Sequence, residues 1–83
     1  MPDNRQAQED LLAVVSRMVD RPGQVDVEAV PMRRATVFEV RAHPDDLGKI
    51  IGRRGRAARA LRTLLDCRGD AEGAQYGLEI LDD

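Results

Sequence analysis

The 83-residue sequence predicts a single two-layer α/β (α+β) sandwich over residues 1–83. Three strands in a mixed sheet carry three helices on one face, in the order α-β-β-α-α-β. Three observations lead to this class. Apolar residues recur with helical period in two separated segments. Two strand-like runs lie only a few residues apart, which requires an antiparallel hairpin. A third strand follows after a crossover longer than a dozen residues, which permits parallel pairing and is expected to be right-handed. A chain of this length holds one core and not two.

The first helix is expected over about 4–20, capped by Asn4 or Asp3. With 100° per residue, Ala7, Leu11, Val14, Val15, Met18 and Val19 share one arc, with Leu12 at its edge and Glu9, Asp10, Ser16, Arg17 and Asp20 opposite. Arg21-Pro22-Gly23 stops the helix, because proline disfavours helix in the residue before it. The hairpin spans 25–42. Val25 to Val30 alternates apolar and acidic, Pro31 breaks the run, Met32-Arg33-Arg34 turns, and Thr36 to Ala42 is rich in branched and aromatic residues. Val37 and Phe38 point to opposite sides, so the pattern leaves the inward face of this strand open.

The segment 44–68 reads as helix, glycine turn, helix. His43-Pro44-Asp45-Asp46 starts a short helix, with His43 as a turn residue and acids where the dipole favours them. It ends at Ile51. The next helix runs from Arg56 to about Arg68, with Ala57, Ala58, Ala60, Leu61, Leu64 and Leu65 on one arc and Arg56, Arg59 and Arg62 on the other. Cys67 is expected to be buried or half-buried near its end. Gly69–Ala74 is expected to be a polar loop, 75–81 a last strand, and Asp82-Asp83 a charged tail.

Charge is distributed unevenly. Leu47 to Leu65 holds six basic residues (Lys49, Arg53, Arg54, Arg56, Arg59, Arg62) and no acid, whereas the rest of the chain has 7 Lys/Arg against 15 Asp/Glu. The net charge of −2 therefore conceals a strongly positive strip on an acidic body. An acidic chain is not a general polyanion binder, and a local strip favours one binding orientation. With one Phe and one Tyr, aromatic base-stacking platforms are excluded. The lone Cys67 and lone His43 exclude an internal disulfide and an anchored zinc site. No carboxylate pair or activated nucleophile has usable spacing, so no enzyme, cofactor, metal or small-molecule substrate is expected. No apolar run is long enough to span a membrane. The polar stretch 1–10 has no apolar signal core, so the expected location is cytoplasmic.

The strip centres on Gly52-Arg53-Arg54-Gly55. Two glycines uncover backbone N–H groups and permit close approach of another backbone. The helix that follows adds orphan N–H groups and a positive dipole end. That combination outlines a phosphate site, with Arg53, Arg54, Arg56, Arg59 and Lys49 as phosphate contacts. Phosphate contacts position a strand and do not read its sequence. A turn that only needs glycine conformation, with solvated arginines at its tip, is the blander reading of the same residues.

Leu47-Gly48-Lys49-Ile50-Ile51-Gly52-Arg53-Arg54-Gly55-Arg56-Ala57-Ala58 resembles the signature of a KH (K-homology) domain, an aliphatic-Ile-Gly-x-x-Gly core between two helices. The element order is similar to the bacterial type II KH arrangement. The stretch from Pro44 to Thr63 looks like the family of bacterial single-KH-domain RNA-binding proteins, the KhpA family, and the resemblance extends over about Glu9 to Leu81. It implies that single-stranded RNA of about four nucleotides lies in a groove. Ile50 and Ile51 would floor that groove with Ala57 and Ala58, and residues 52–55 would clamp the backbone. The last strand's edge, Tyr76 to Ile80, and the Gly69–Ala74 loop would form the opposite wall. It also implies a homodimer or a heterodimer with a second, KhpB-like KH protein, an RNA-chaperone or post-transcriptional role, and an influence on cell shape and cell-wall biogenesis. The acidic, glycine-containing 69–73 segment departs from the family pattern. A rival reading is a KH-fold protein-interaction module with residual nucleic-acid binding.

Overall fold

The computed structural model describes residues 4–82; Asp3, the alternative first cap, and Asp83 of the tail lie outside them. The elements are α1 (Arg5–Ser16), β1 (Asp26–Pro31), β2 (Thr36–Arg41), α2 (Leu47–Ile51), α3 (Arg56–Glu72) and β3 (Tyr76–Ile80), with single 3-10 turns at Pro22–Gln24, Pro44–Asp46 and Arg53–Gly55. The sheet order is β1-β2-β3. β1 pairs antiparallel with β2, and β2 pairs parallel with β3. This is the predicted α-β-β-α-α-β sandwich with a mixed sheet, as in a KH fold.

The pleat resolves the face left open by the sequence. Val27 opposes Val40, and Phe38 opposes Ala29 on one side and Leu78 on the other. Phe38 and Val40 are fully buried beneath the helices, and Phe38 meets Tyr76 edge-to-face at 5.1 Å. Ala7, Leu11 and Val15 of α1, Ile50 of α2, and Leu61 and Leu65 of α3 close the core from above. On the opposite face Glu28, Glu39 and Glu79 sit side by side across all three strands. The open face of the sheet is therefore acidic, and the basic strip belongs to the other side of the molecule.

Several boundaries differ from those expected. α1 closes at Ser16 because the N–H groups of Asp20 and Arg21 turn away to donate to the carboxylate of Asp46, at 3.4 and 3.1 Å. Met18 and Val19 still pack on the core, but from a turn. Asn4 stands at the N-cap without capping, and its amide donates to the Thr36 hydroxyl instead. α3 continues to Glu72, so Gly69 to Glu72 is helix rather than loop. Gly73, at φ 68°, ends the helix, and the Ala74 N–H donates to the Gly69 carbonyl at 2.8 Å, a Schellman-type closure. Cys67 lies off the buried Leu61–Leu65–Gly69 stripe of α3, so it is exposed rather than buried. Val14 and Leu64, placed on buried arcs by periodicity, are 43% and 60% exposed, because only the narrow stripes at i, i+4 and i+8 reach the sheet.

Candidate nucleic-acid interface

The glycine turn is held by backbone geometry. The Gly52 N–H ends α2 on the Gly48 carbonyl at 2.8 Å, and the Gly55 N–H returns to the Gly52 carbonyl at 3.1 Å. Gly52 has φ 79° and ψ 170°, a region only glycine enters readily. A Cβ there would lie 2.6 Å from the Ala57 Cβ and 2.7 Å from the Ala57 nitrogen. Gly55 is left-handed at φ 73°, but a Cβ there would meet open space. Between them Arg54 is also left-handed, at φ 57°, a conformation that costs a residue with a Cβ roughly 1–2 kcal/mol. The two glycines thus differ: one is required by conformation and packing, the other by conformation alone.

The turn leads directly into α3, whose N-cap residue Gly55 has no side chain to satisfy the first N–H groups. The positive end of a 17-residue helix therefore opens beside Arg53, Arg54 and Arg56. The guanidinium groups of Arg53, Arg54, Arg56, Arg59 and Arg62 make no ion pair or hydrogen bond among the described residues. Those of Arg21, Arg41 and Arg68 are held by Asp45 and Asp46, by Glu28, and by Asp10 and Glu72. The sequence placed six cations on this strip; the structure leaves five of them unpaired.

Lys49 is the sixth. Its ammonium contacts the carboxylate of Asp20 and lies 3.7 Å from Asp46. The hydrogen bond to Asp20 holds its pKa above the ordinary lysine value. Asp46 itself is fully buried under the short helix. Burial pushes its carboxyl up, but the two backbone N–H donors and the charges of Arg21 and Lys49 outweigh this and hold it below the ordinary aspartate value. Asp46 fastens the chain after α1 to the start of α2, and so sets where the glycine turn points. Nothing in the sequence pattern distinguished it from Asp45, which is exposed.

The two isoleucines separate. Ile50 is fully buried in the core, and Ile51 is 42% exposed at the end of α2, beside the turn. Ala58 is buried and Ala57 half-buried at the start of α3. On the far side, a cleft between α3 and β3 is lined by Asp66, Asp70, Gln75 and Gly77. The wall expected from a 69–74 loop is instead formed by the last turns of α3, with their carboxylates. Lysine and arginine thus dominate one end of the helix pair and aspartate the other.

A second surface lies between α1 and α3, where Leu11, Val14, Leu61, Leu64 and Cys67 line an apolar groove. Its floor, Leu11 and Leu61, is buried, and its rims, Val14 and Leu64, are open. Among the described residues no group of His, Cys, Asp and Glu could hold a metal ion, and no helix is long and apolar enough to cross a membrane.

Two comparisons relate the sequence to known proteins. A family model described as KhpA/KhpB, KH domain, matches residues 8–80. The RNA-binding protein KhpA of Treponema pallidum is similar at 45% identity over 76 residues, 90% of this chain and 95% of that protein. The RNA-binding protein KhpA of Streptomyces coelicolor is 53% identical over 62 residues, 75% of this chain and 78% of that one. That of Mycobacterium tuberculosis is 54% identical over 52 residues, 63% of this chain and 65% of that one.

Proposed function

The chain belongs to the KhpA/KhpB KH-domain family, and on that premise we propose that it is a non-catalytic single-stranded RNA-binding protein of the cytoplasm. The observation that carries the reading is the set of unpaired guanidinium groups around a glycine-shaped turn at the uncapped start of α3. Arg53, Arg54 and Arg56 meet phosphates, with Arg59 one turn further along the helix. The backbone of Gly52 to Gly55 lets the strand come close, and the α3 N-terminus adds N–H donors. Ile51 offers an apolar surface to a base, while Ile50 supports it from the core. Lys49 acts indirectly, by fixing α2 through Asp20 and Asp46. With few base-reading groups at this end, binding tolerates many sequences, which suits an RNA chaperone or post-transcriptional regulator.

Association with another KH chain, a second copy or a KhpB-like partner, is the second part of this reading. Its support is the open apolar strip of Val14 and Leu64, and one weak clamp per chain gains from avidity. Leu64→Lys should leave the monomer fold intact and shift sedimentation toward the monomer.

The test of RNA binding is fluorescence anisotropy of a short labelled single-stranded RNA with wild type and Gly55→Asp. Aspartate tolerates left-handed backbone better than most residues and meets no atom at that position, so the variant should fold. It should lose binding by placing a negative charge in the clamp. Wild-type affinity should fall with salt with a slope of roughly −0.7 per phosphate contacted. Equal binding by both proteins would overturn the reading.

A further inference from the structure

Outside the strip, Arg33 and Arg34 stand at the β1–β2 turn, and neither guanidinium has a partner among the described residues. They border a cleft of about 660 Å³ with Met32, Asn4, Asp70 and Gln75, at the end of the sheet where α3 terminates. The cleft adjoins the α3–β3 groove, sharing Ala35, Asp70, Gln75 and Tyr76 with it. Its walls differ in chemistry. One carries the two arginines and the 58%-exposed Met32. The other carries Asp70 and Gly73, at the negative end of α3. Gln75, which is exposed, also lines the cleft.

A uniformly basic patch would suit any polyanion. This division suits a nucleotide: phosphate on the arginines, a base face against Met32, and the base's exocyclic amino group on the Asp70 carboxylate. A purely phosphate-bearing surface would meet the Asp70 wall as a repulsion. From the geometry we infer that the cleft at Arg33–Arg34 is a second contact for the same single-stranded RNA, extending its path along α3 beyond the strand held at the glycine turn. This rests on the RNA reading above. The 17 residues of α3 separate the two ends by about 25 Å. A strand of about four nucleotides held at the turn does not reach the far cleft, whereas about twelve do, at 3.4 Å or more per nucleotide.

The experiment measures affinity for single-stranded RNAs of about four and about twelve nucleotides, with wild type, Arg33→Ala/Arg34→Ala and Gly55→Asp. Both arginines are exposed, so the double variant should keep its circular dichroism spectrum. It should bind the short RNA as wild type does and lose the gain in affinity that length confers. Its salt slope for the long RNA should be shallower by about 1.4, two phosphates at roughly 0.7 each. Gly55→Asp should bind neither RNA. If the double variant keeps the wild-type length gain, the second contact is overturned and the clamp at 52–55 stands. If wild type binds neither RNA, the RNA reading fails and this inference falls with it.

Discussion

Replacing Gly52 and Gly55 separately by alanine tests whether the glycine turn is shaped as described. Gly52→Ala forces a residue with a Cβ into a φ/ψ region that costs of order 1–3 kcal/mol. It also places that Cβ 2.6 Å from the Ala57 Cβ and 2.7 Å from the Ala57 nitrogen. Neither atom is the end of a flexible side chain, so α3 itself has to move, at an overpacking cost of about 1–3 kcal/mol. Together these give a loss of about 2–6 kcal/mol. Gly55→Ala meets no atom and bears only the left-handed cost, about 1–2 kcal/mol. A domain of this size is stable by about 4–12 kcal/mol, so the first variant should be marginal and the second well folded. Urea denaturation followed by circular dichroism reads the difference as two midpoints at a common slope. Equal midpoints would mean that residues 52 and 57 do not meet at the α2–α3 turn.

Other consequences follow from named contacts. Gly69→Ala should destabilise although alanine is the better helix former, because its Cβ would lie 2.5 Å from the Ala74 carbonyl oxygen. The overpacking cost of about 1–3 kcal/mol outweighs a propensity gain of about 1 kcal/mol, and thermal melting checks it. Leu65→Ala, in the core, should cost about 2–5 kcal/mol by the same assay in monomer, whereas Leu64→Ala should change it by less than about 0.5 kcal/mol. Acid should destabilise the fold. Asp46 is held below its ordinary value as described, Asp10 by the Arg68 side chain and then Gln6, and Glu72 by the Tyr76 hydroxyl and then Arg68. Lowered carboxylate values stabilise above the ordinary 3.8 and 4.5 and lose that contribution as pH falls through the folded-state values. Melting temperatures should therefore hold from neutral pH to about 5 and drop below 4, with a smaller drop in Glu72→Gln. Lys49→Ala should lower the melting temperature and reduce RNA affinity less than Arg53→Ala/Arg54→Ala does.

The parts of this molecule that were legible in its sequence are those set by local pattern. Alternation in Val25–Val30 and the glycine turn at 52–55 need only neighbouring residues to be read: a strand forms at Asp26–Pro31, with Pro31 as its last residue and not a break before it, and the turn lies between two helices. Features decided at a distance were not legible. Whether Phe38 or Val37 faces inward depends on pairing with Ala29 and Leu78. Asp46 and Asp45 are indistinguishable until the N–H groups of Asp20 and Arg21, more than twenty residues away, converge on one of them. The same cluster takes Lys49 out of the set of unpaired cations and shortens α1 by one turn. Leu64 and Val14 follow the apolar period but lie outside the strip that a three-stranded sheet can cover. Residues 69–72 look like loop because they contain glycine and acids, yet Gly69 is kept in the helix by the close return of Ala74.

RNA contact at the glycine turn is read at residue level by amide chemical-shift mapping of the isotope-labelled protein during titration with a short single-stranded RNA. Shifts should concentrate at Ile51 to Arg59 and spare Glu28, Glu39 and Glu79 on the open face of the sheet. They should vanish in Gly55→Asp. Shifts confined to Val14, Leu61 and Leu64, or no shifts at the glycine turn, would contradict that contact and make the basic strip a docking surface for protein.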